Sequence, residues 1–380
     1  MKILQLSEFL HLFSNSKNKD QTFTQFMKNA QVRNGDRLRP LKEYIKEKNI
    51  DKEDLKLLFE NIQQRNEYLT RFYNLSLHPR PRFDTAVIKP MKNNNFNNNE
   101  ETLYKNLIRN IYYREILHTT KSGIENNPTY MDMLLDLYVH DIIDYKILTP
   151  SSLFYMKEGR LGSVFSSYYF RASIMNPYLV YSLNKSVLKG TRIFTPTLGW
   201  SSYCYGFLEC PEVVEYVGTD VIPSVCAKTR ELAKELAPNK KIDIYCKPSE
   251  DLLKLSAFKN NYRDHFDVVF FSPPYYRLEL YDGKEQSTNK YKTYEEWLDK
   301  YWDKTMQLCH HVLKKRGKMC YILSGYGSQN SKEQYDLIND MNAVAIKYFH
   351  LHSKQLMQNK NVHVTKHRET GEYIMIFDKK

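Results

Sequence analysis

From Thr191 onward the chain alternates between two periodicities. Short runs rich in β-branched and aromatic residues occupy Thr191–Thr195, Val214–Asp220, Ile242–Lys247, Phe266–Phe271 and Lys318–Leu323. Ile346–Leu351 and Tyr373–Phe377 add two more. Between them Pro223–Leu236, Ser249–Leu255, Tyr294–Leu313 and Lys332–Asn342 suit helices. Strand and helix in alternation predict βαβ units, a mostly parallel sheet and helices on both faces. Such sheets bind ligands beyond the carboxyl ends of their strands, where the strand order reverses. The residues just after each run are therefore the candidates for function.

The first part of the chain reads differently. Asp51 to Tyr68 carries Leu55, Leu58, Phe59 and Ile62 at helical spacing, with Asp51 placed to cap. His78-Pro79-Arg80-Pro81-Arg82 stops a helix. Asn93 to Asn99 (NNNFNNN) is low in complexity and is expected to be a mobile loop. Thr102 to Leu117 and Tyr130 to Ile143 resume helical spacing. At 380 residues the chain suits two domains, expected as a helical 1–150 and a second over 151–380. No stretch approaches a membrane span, and Glu8 and His11 interrupt the apolar N-terminus, which reads as an amphipathic helix and not a signal peptide. Six cysteines without a C-x-x-C motif point to a reduced, intracellular protein without a disulfide framework or zinc site. His310 and His311 beside Cys309, and the pair His363 and His367, lack a third ligand at metal spacing, so no metal is expected.

Each strand end carries its own signal. Thr195-Pro196-Thr197-Leu198-Gly199-Trp200-Ser201-Ser202 is a turn where a glycine lets a ligand approach the backbone. Asp220 ends the second run, where a carboxylate can accept both hydroxyls of a ribose or else cap the next helix. Ser249-Glu250-Asp251 ends the third, suited to an adenine amino group or to an ordinary helix start. Ser272-Pro273-Pro274-Tyr275 ends the fourth and is the sharpest feature. Its prolines stop the ladder and fix an extended backbone. The Ser272 side chain and Pro273 carbonyl then offer two acceptors beside an aromatic face. A flat base with an exocyclic amine fits that arrangement, and stacking on an aromatic ring is worth ~1–3 kcal/mol per base.

Ser272 to Tyr275 resembles the catalytic motif of S-adenosylmethionine-dependent DNA amino-methyltransferases, which methylate adenine N6 or cytosine N4. The surrounding segment is similar to a subset found in phages and large DNA viruses. It carries Pro196-Thr197-Leu198-Gly199-Trp200, Asp220, Ser249-Glu250-Asp251, the Ser-Pro-Pro-Tyr and Glu279-Leu280-Tyr281. Phe165 to Ala172, with Arg171, resembles the segment against the methionine end of the cofactor. The likeness covers about residues 160 to 330. It implies an α/β, Rossmann-like class I methyltransferase sheet with an N-terminal mainly helical domain, and S-adenosyl-L-methionine as cofactor. Arg171, Thr195, Gly199, Trp200, Asp220, Ser249, Glu250 and Asp251 would line the cofactor. Ser272, Pro273, Pro274 and Tyr275 would hold the target base. Thr195 stands where the family usually has an acidic residue, and Ser201 where it often has glycine. An RNA methyltransferase, or a silent nucleic-acid-binding protein on the same fold, are the alternatives.

Lys plus Arg number 56 against 44 Asp plus Glu, a formal charge of +12 that suits a polyanionic partner, DNA first. Candidate phosphate contacts are Lys28, Arg33, Arg37, Arg39 and Lys42, opposed locally only by Asp36. Arg80, Arg82, Lys314, Lys315, Arg316, Lys366, His367 and Arg368 extend the set. The N-terminal helices are expected to read bases or to meet a partner or second copy. A location in cytoplasm, nucleus or viral factory follows from the same reading.

Overall fold

The computed structural model describes residues 1–14, 20–84, 86–122, 128–169, 172–277, 279–281, 283–324, 335–358 and 371–380. The chain forms two compact units, one of residues 2–78 and 109–172, the other of residue 1, 79–108 and 173–380. The boundary drawn at residue 150 falls inside the first unit, and residues 79–108 group with the second.

In the first unit Asp51 caps the helix Lys52–Gln63 by accepting the Glu53 N–H at 3.0 Å. A break at Gln64 begins a second helix, Arg65–Ser76, where one continuous helix was expected. Leu55, Leu58, Ile62 and Leu69 are buried along one stripe. The unit also holds a small sheet that helical periodicity does not predict. Strands β1 (Gln31–Asn34) and β2 (Arg37–Pro40) form an antiparallel hairpin, and β3 (Ile142–Asp144) runs parallel to β1. Gly35 turns the hairpin at φ +62°. Asn34 pairs with Arg37, so the two loop residues are Gly35 and Asp36, and glycine in the first of them suits a tight two-residue hairpin. The Tyr130–Val139 helix therefore stops short of Ile143, whose residues join the sheet.

The second unit carries a seven-stranded sheet: β4 (Arg192–Thr195), β5 (Glu215–Asp220), β6 (Lys241–Cys246), β7 (Phe266–Phe271), β8 (Leu313–Ser324), β9 (Phe349–Leu356) and β10 (Glu372–Lys379). Their order is β6-β5-β4-β7-β8-β10-β9. The first five are parallel, and β10 runs antiparallel to both its neighbours. This is the α/β, Rossmann-like sheet expected from the sequence. Order reverses between β4 and β7, which pair through Ile193 with Val268 and Phe194 with Val269. Apart from Arg192 and Asp267 every residue of both strands is buried, as a central parallel strand requires. The reversal puts the turn after Thr195 beside the turn after Phe271.

The asparagine-rich stretch is a correction. Phe96 is 1% exposed and Asn97 is buried. Asn98 accepts the Asn176 N–H at 2.6 Å and donates to the Ile174 carbonyl at 3.2 Å. These bonds fasten the tract to the segment leading into the helix Pro177–Leu183. Asn98→Ala is expected to lower unfolding free energy by about 1–3 kcal/mol, because it strands a backbone donor and acceptor. A mobile loop would show no change in thermal or denaturant unfolding.

Among the described residues no helix is long and apolar enough to cross a membrane. No cluster of His, Cys, Asp or Glu among them is suited to a metal. Of the six cysteines, all free thiols, only Cys246 is exposed.

Candidate functional site

The site is built where the sheet reverses. After Thr195 the backbone takes three successive left-handed residues, Gly199 at φ +52°, Trp200 at +56° and Ser201 at +67°. Only glycine adopts that region without steric cost; other residues lose roughly 1–2 kcal/mol each. Positive φ at Ser201 explains why glycine suits this place. Here serine occupies it, and its hydroxyl pairs with Thr229 Oγ1 at 2.6 Å. Gly199 has a second constraint. A Cβ there would lie 2.6 Å from Cε1 and Cε2 of Tyr203, and closer still to Cζ. The turn thus lies directly on the Tyr203 ring, in the helix Ser202–Leu208. It also packs on the backbone of β5: a Cβ on Gly218 would fall 2.5 Å from Leu198 Cδ2.

Asp220, at the end of β5, ties that turn down. Its carboxylate accepts the Leu198 N–H at 3.2 Å and the Ile222 N–H at 3.1 Å. Burial raises its pKa above the ordinary 3.8, while the N–H groups of Ile222, Leu198 and Val221 pull it back. The carboxylate thus buttresses the turn, and lone pairs beyond those two bonds remain for a ligand. Two hydroxyls of the turn, Thr197 Oγ1 and Ser202 Oγ, are sealed from solvent without a hydrogen-bond partner among the described residues. Each orphan costs ~1–3 kcal/mol until something satisfies it.

The turn after β7 faces the same reversal. Ser272 Oγ donates to the Ile322 carbonyl of β8 at 3.0 Å. Its only proton is thereby committed, and its lone pairs are left as acceptors. The Tyr275 hydroxyl accepts the Ser324 N–H at 2.9 Å, so the ring is anchored to the end of β8. Pro273 is buried, and Pro274 and Tyr275 are half-buried. Behind them Tyr276 packs its ring against Tyr294 (5.4 Å), Trp297 (5.7 Å) and Tyr335 (5.4 Å). Its hydroxyl donates to the Lys292 carbonyl at 2.8 Å. Tyr203 joins the two turns. Its hydroxyl accepts the Ser272 N–H at 3.0 Å and donates to the Ser272 carbonyl at 3.4 Å. Nothing in the sequence singled out Tyr203 except its place at the start of the helix after β4. Tyr281 adds a ring at 5.5 Å, edge-on to Trp200.

The other expected cofactor residues are placed as follows. Thr195 is fully buried, and its hydroxyl pairs with Tyr216 Oη at 2.7 Å inside the sheet. Ser249 pairs with Thr305 Oγ1 at 3.0 Å. Glu250 takes Lys290 at 3.2 Å and the Tyr291 hydroxyl at 3.1 Å. Asp251 takes Lys290 at 3.0 Å and Lys254 at 2.6 Å. Burial works against the Asp251 charge, yet these two ammonium groups hold its pKa below the ordinary value. Arg171 lies outside the described residues. So Gly199, Trp200 and Asp220 meet around one turn beside Ser272–Tyr275, and the Ser249–Asp251 set is occupied by neighbouring side chains.

The basic clusters are less free than the sequence suggests. Arg33 pairs with Asp136 at 2.8 Å and Arg39 with Glu47 at 2.8 Å. Arg80 meets Glu101 at 3.7 Å, Arg82 meets Glu209 at 3.2 Å and Lys314 meets Asp267 at 3.5 Å. Folding brings in carboxylates remote in sequence, where only Asp36 was counted. Lys366, His367 and Arg368, and the pair His363 and His367, lie outside the described residues.

No family model matches the chain, and no curated protein matches its sequence. Solved structures do match over about half of it. TrmN from Thermus thermophilus is 13% identical over 54% of this chain and 49% of its own, with a TM-score of 0.35. The chain thus spans about half the length of that protein. N-methyltransferase NodS from Bradyrhizobium japonicum WM9, in complex with S-adenosyl-L-homocysteine, is 9% identical over 53% of this chain and 83% of its own, with a TM-score of 0.35. A methyltransferase from Pyrococcus furiosus is 16% identical over 54% of this chain and 83% of its own, with a TM-score of 0.33.

Proposed function

We propose that the chain transfers a methyl group from S-adenosyl-L-methionine to the exocyclic amine of a base turned out of DNA, adenine N6 or cytosine N4. One observation carries the reading. At the reversal of strand order, Ser272 presents an oxygen whose proton is already committed, and Tyr275 holds an anchored ring beside it. When bound, the cofactor supplies an electrophilic methyl on a sulfonium. The turn at Gly199 and Trp200 would receive it, with Asp220 on its ribose and the orphan hydroxyls of Thr197 and Ser202 as further polar partners. Glu250 and Asp251 would reach its adenine only by sharing Lys290.

The chain's own part is orientation. An amine conjugated with a base ring is a poor nucleophile. Ser272 Oγ and the Pro273 carbonyl accept its two N–H bonds and turn its lone pair out of conjugation. Tyr275 stacks on the ring and fixes its plane. Positioning of this kind is worth up to ~7–11 kcal/mol. Removing the base from the duplex costs a few kcal/mol, which stacking repays in part. A covalent enzyme nucleophile has no place in this scheme. Burial pushes the thiols of Cys204, Cys309 and Cys320 upward, so they stay protonated.

Asp220→Asn separates the ribose role from a purely structural one. A carboxyl whose pKa rises on folding binds more protons folded than unfolded, so its contribution to stability falls as pH climbs past the ordinary 3.8. The amide removes that penalty but offers one acceptor oxygen where the carboxylate offers two. Expected at neutral pH are a melting temperature that changes little, because the relieved burial cost offsets the Leu198 or Ile222 N–H that the amide no longer accepts, and affinity for S-adenosylhomocysteine about tenfold weaker, since a charge-assisted bond is worth ~1.5–3 kcal/mol. Calorimetry and a thermal scan read both.

The buried Thr195 favours a second reading, a nucleic-acid-binding protein that keeps the fold without the reaction. One assay decides. The protein is incubated with labelled S-adenosylmethionine and either DNA or RNA, and the polymers are digested to nucleosides. N6-methyl-deoxyadenosine or N4-methyl-deoxycytidine carrying label is the expected result. Label only in ribonucleosides, or none in either polymer, overturns it.

A further inference from the structure

The chain at Leu298–Asp303 winds as a π-helical turn. Such turns are frequent at functional sites, where the extra residue re-aims a side chain. Here it separates two neighbouring aromatics. Trp302 packs on Phe271 (5.8 Å) and Tyr321 (5.5 Å), and donates to the Met341 carbonyl at 2.9 Å. Tyr301 instead stacks near Trp297, with ring centres 5.2 Å apart, and is 3% exposed. Its hydroxyl is sealed from solvent and has no hydrogen-bond partner among the described residues. Native proteins rarely leave such a group unpaired without a ligand, a water or a catalytic reason.

The surroundings say which. The π-helical turn packs on the short helix Ser249–Lys254 that follows β6. Burial, and then the charges of Glu250, Cys309, Asp220 and Tyr203, push the Tyr301 hydroxyl well above its ordinary pKa. It is a donor at every working pH. Three of those four groups belong to the crevice: Asp220 ends β5, Glu250 follows β6, and Tyr203 braces the turn after β4. Cys309 belongs to the helix Lys304–Val312 behind it.

We propose that Tyr301 is a further cofactor-binding residue, its hydroxyl donating to a nitrogen or oxygen of the nucleoside half of the bound methyl donor. The assignment rests on the reading of this crevice as the cofactor site. It explains a buried donor without a partner among the described residues, on a turn packed against the helix that carries Glu250.

The test is Tyr301→Phe in the full chain, which removes one oxygen and leaves the ring. Affinity for S-adenosylhomocysteine is measured by titration calorimetry, alongside thermal unfolding without ligand. Affinity about 3- to 10-fold weaker is expected, the usual range for one hydrogen bond. The ligand-free melting temperature should hold or rise, since the variant no longer buries an unpaired hydroxyl. Equal affinity in wild type and variant overturns the proposal while leaving the cofactor reading intact. No binding by the wild type overturns both. If the variant unfolds, the Cζ resonance of 13C-labelled Tyr301 in the wild type decides. A shift on saturation with S-adenosylhomocysteine supports the assignment, and an unmoved resonance rejects it.

Discussion

Gly199→Ala should cost the protein both stability and its ligand. The residue sits at φ +52°, and its missing Cβ is space that the Tyr203 ring fills. The left-handed backbone alone should cost about 1 kcal/mol, and forcing a methyl onto a buried ring about 1–3 kcal/mol more. Gly35→Ala is the matched control. Its φ is +62° and nothing lies within 4 Å of the added methyl, so it reports the backbone cost alone. The expected outcome is a fall in unfolding free energy about two to four times larger at Gly199 than at Gly35, roughly 2–4 against 1 kcal/mol. Only the Gly199 variant should also lose affinity for S-adenosylhomocysteine, by tenfold or more. Equal losses of stability at the two positions would show that the turn does not press on Tyr203.

Ser272→Ala should reduce methyl transfer by about 10²-fold, the usual loss when one preorganised polar contact to the reacting group is removed. The loss belongs in kcat, because the alignment it supplies matters most as the amine leaves conjugation. Stability should change by only about 1 kcal/mol, the worth of the bond to the Ile322 carbonyl. Tyr275→Phe keeps the ring and loses only the anchor to Ser324, so it should retain more activity than Tyr275→Ala, which loses the stack. Steady-state rates on the DNA substrate, with cofactor affinity measured separately, test all three. Full activity in both Ser272→Ala and Tyr275→Ala would remove the site assignment.

The sheet was legible because its central strands, at 193–195 and 268–271, are buried on both faces and its strands alternate with helices of regular spacing. Phe266–Phe271 and Pro223–Leu236 keep their expected bounds, since a Ser-Pro-Pro turn ends one and Pro223 opens the other. Three things were not legible, each for a physical reason. Composition hid Phe96 and Asn98: asparagine-rich tracts usually solvate, but asparagine side chains can also tie backbone groups that no ladder reaches. Charge runs hid their partners, because Asp136 and Glu47 reach Arg33 and Arg39 only once the chain folds. The hairpin at Gly35-Asp36 did carry its signal, and helical spacing on either side masked it. The places of the Gly199 turn and of the Ser-Pro-Pro-Tyr turn could be read directly from the strands they follow. The Tyr203 brace and the orphan hydroxyl of Tyr301 could not, because a tyrosine on a helix is ordinarily packing, and only neighbours from other strands reveal otherwise.

Tyr203 makes the two loops mechanically one object. A molecule that stiffens the Gly199 turn stiffens the Ser272 backbone through a single phenol, so whatever is gained at one loop is felt at the other. If the two turns hold cofactor and base as proposed, thermodynamic reciprocity makes the factor by which each changes the other's affinity the same. Tyr203→Phe keeps the ring and loses the two bonds to Ser272, and should bring that factor close to one.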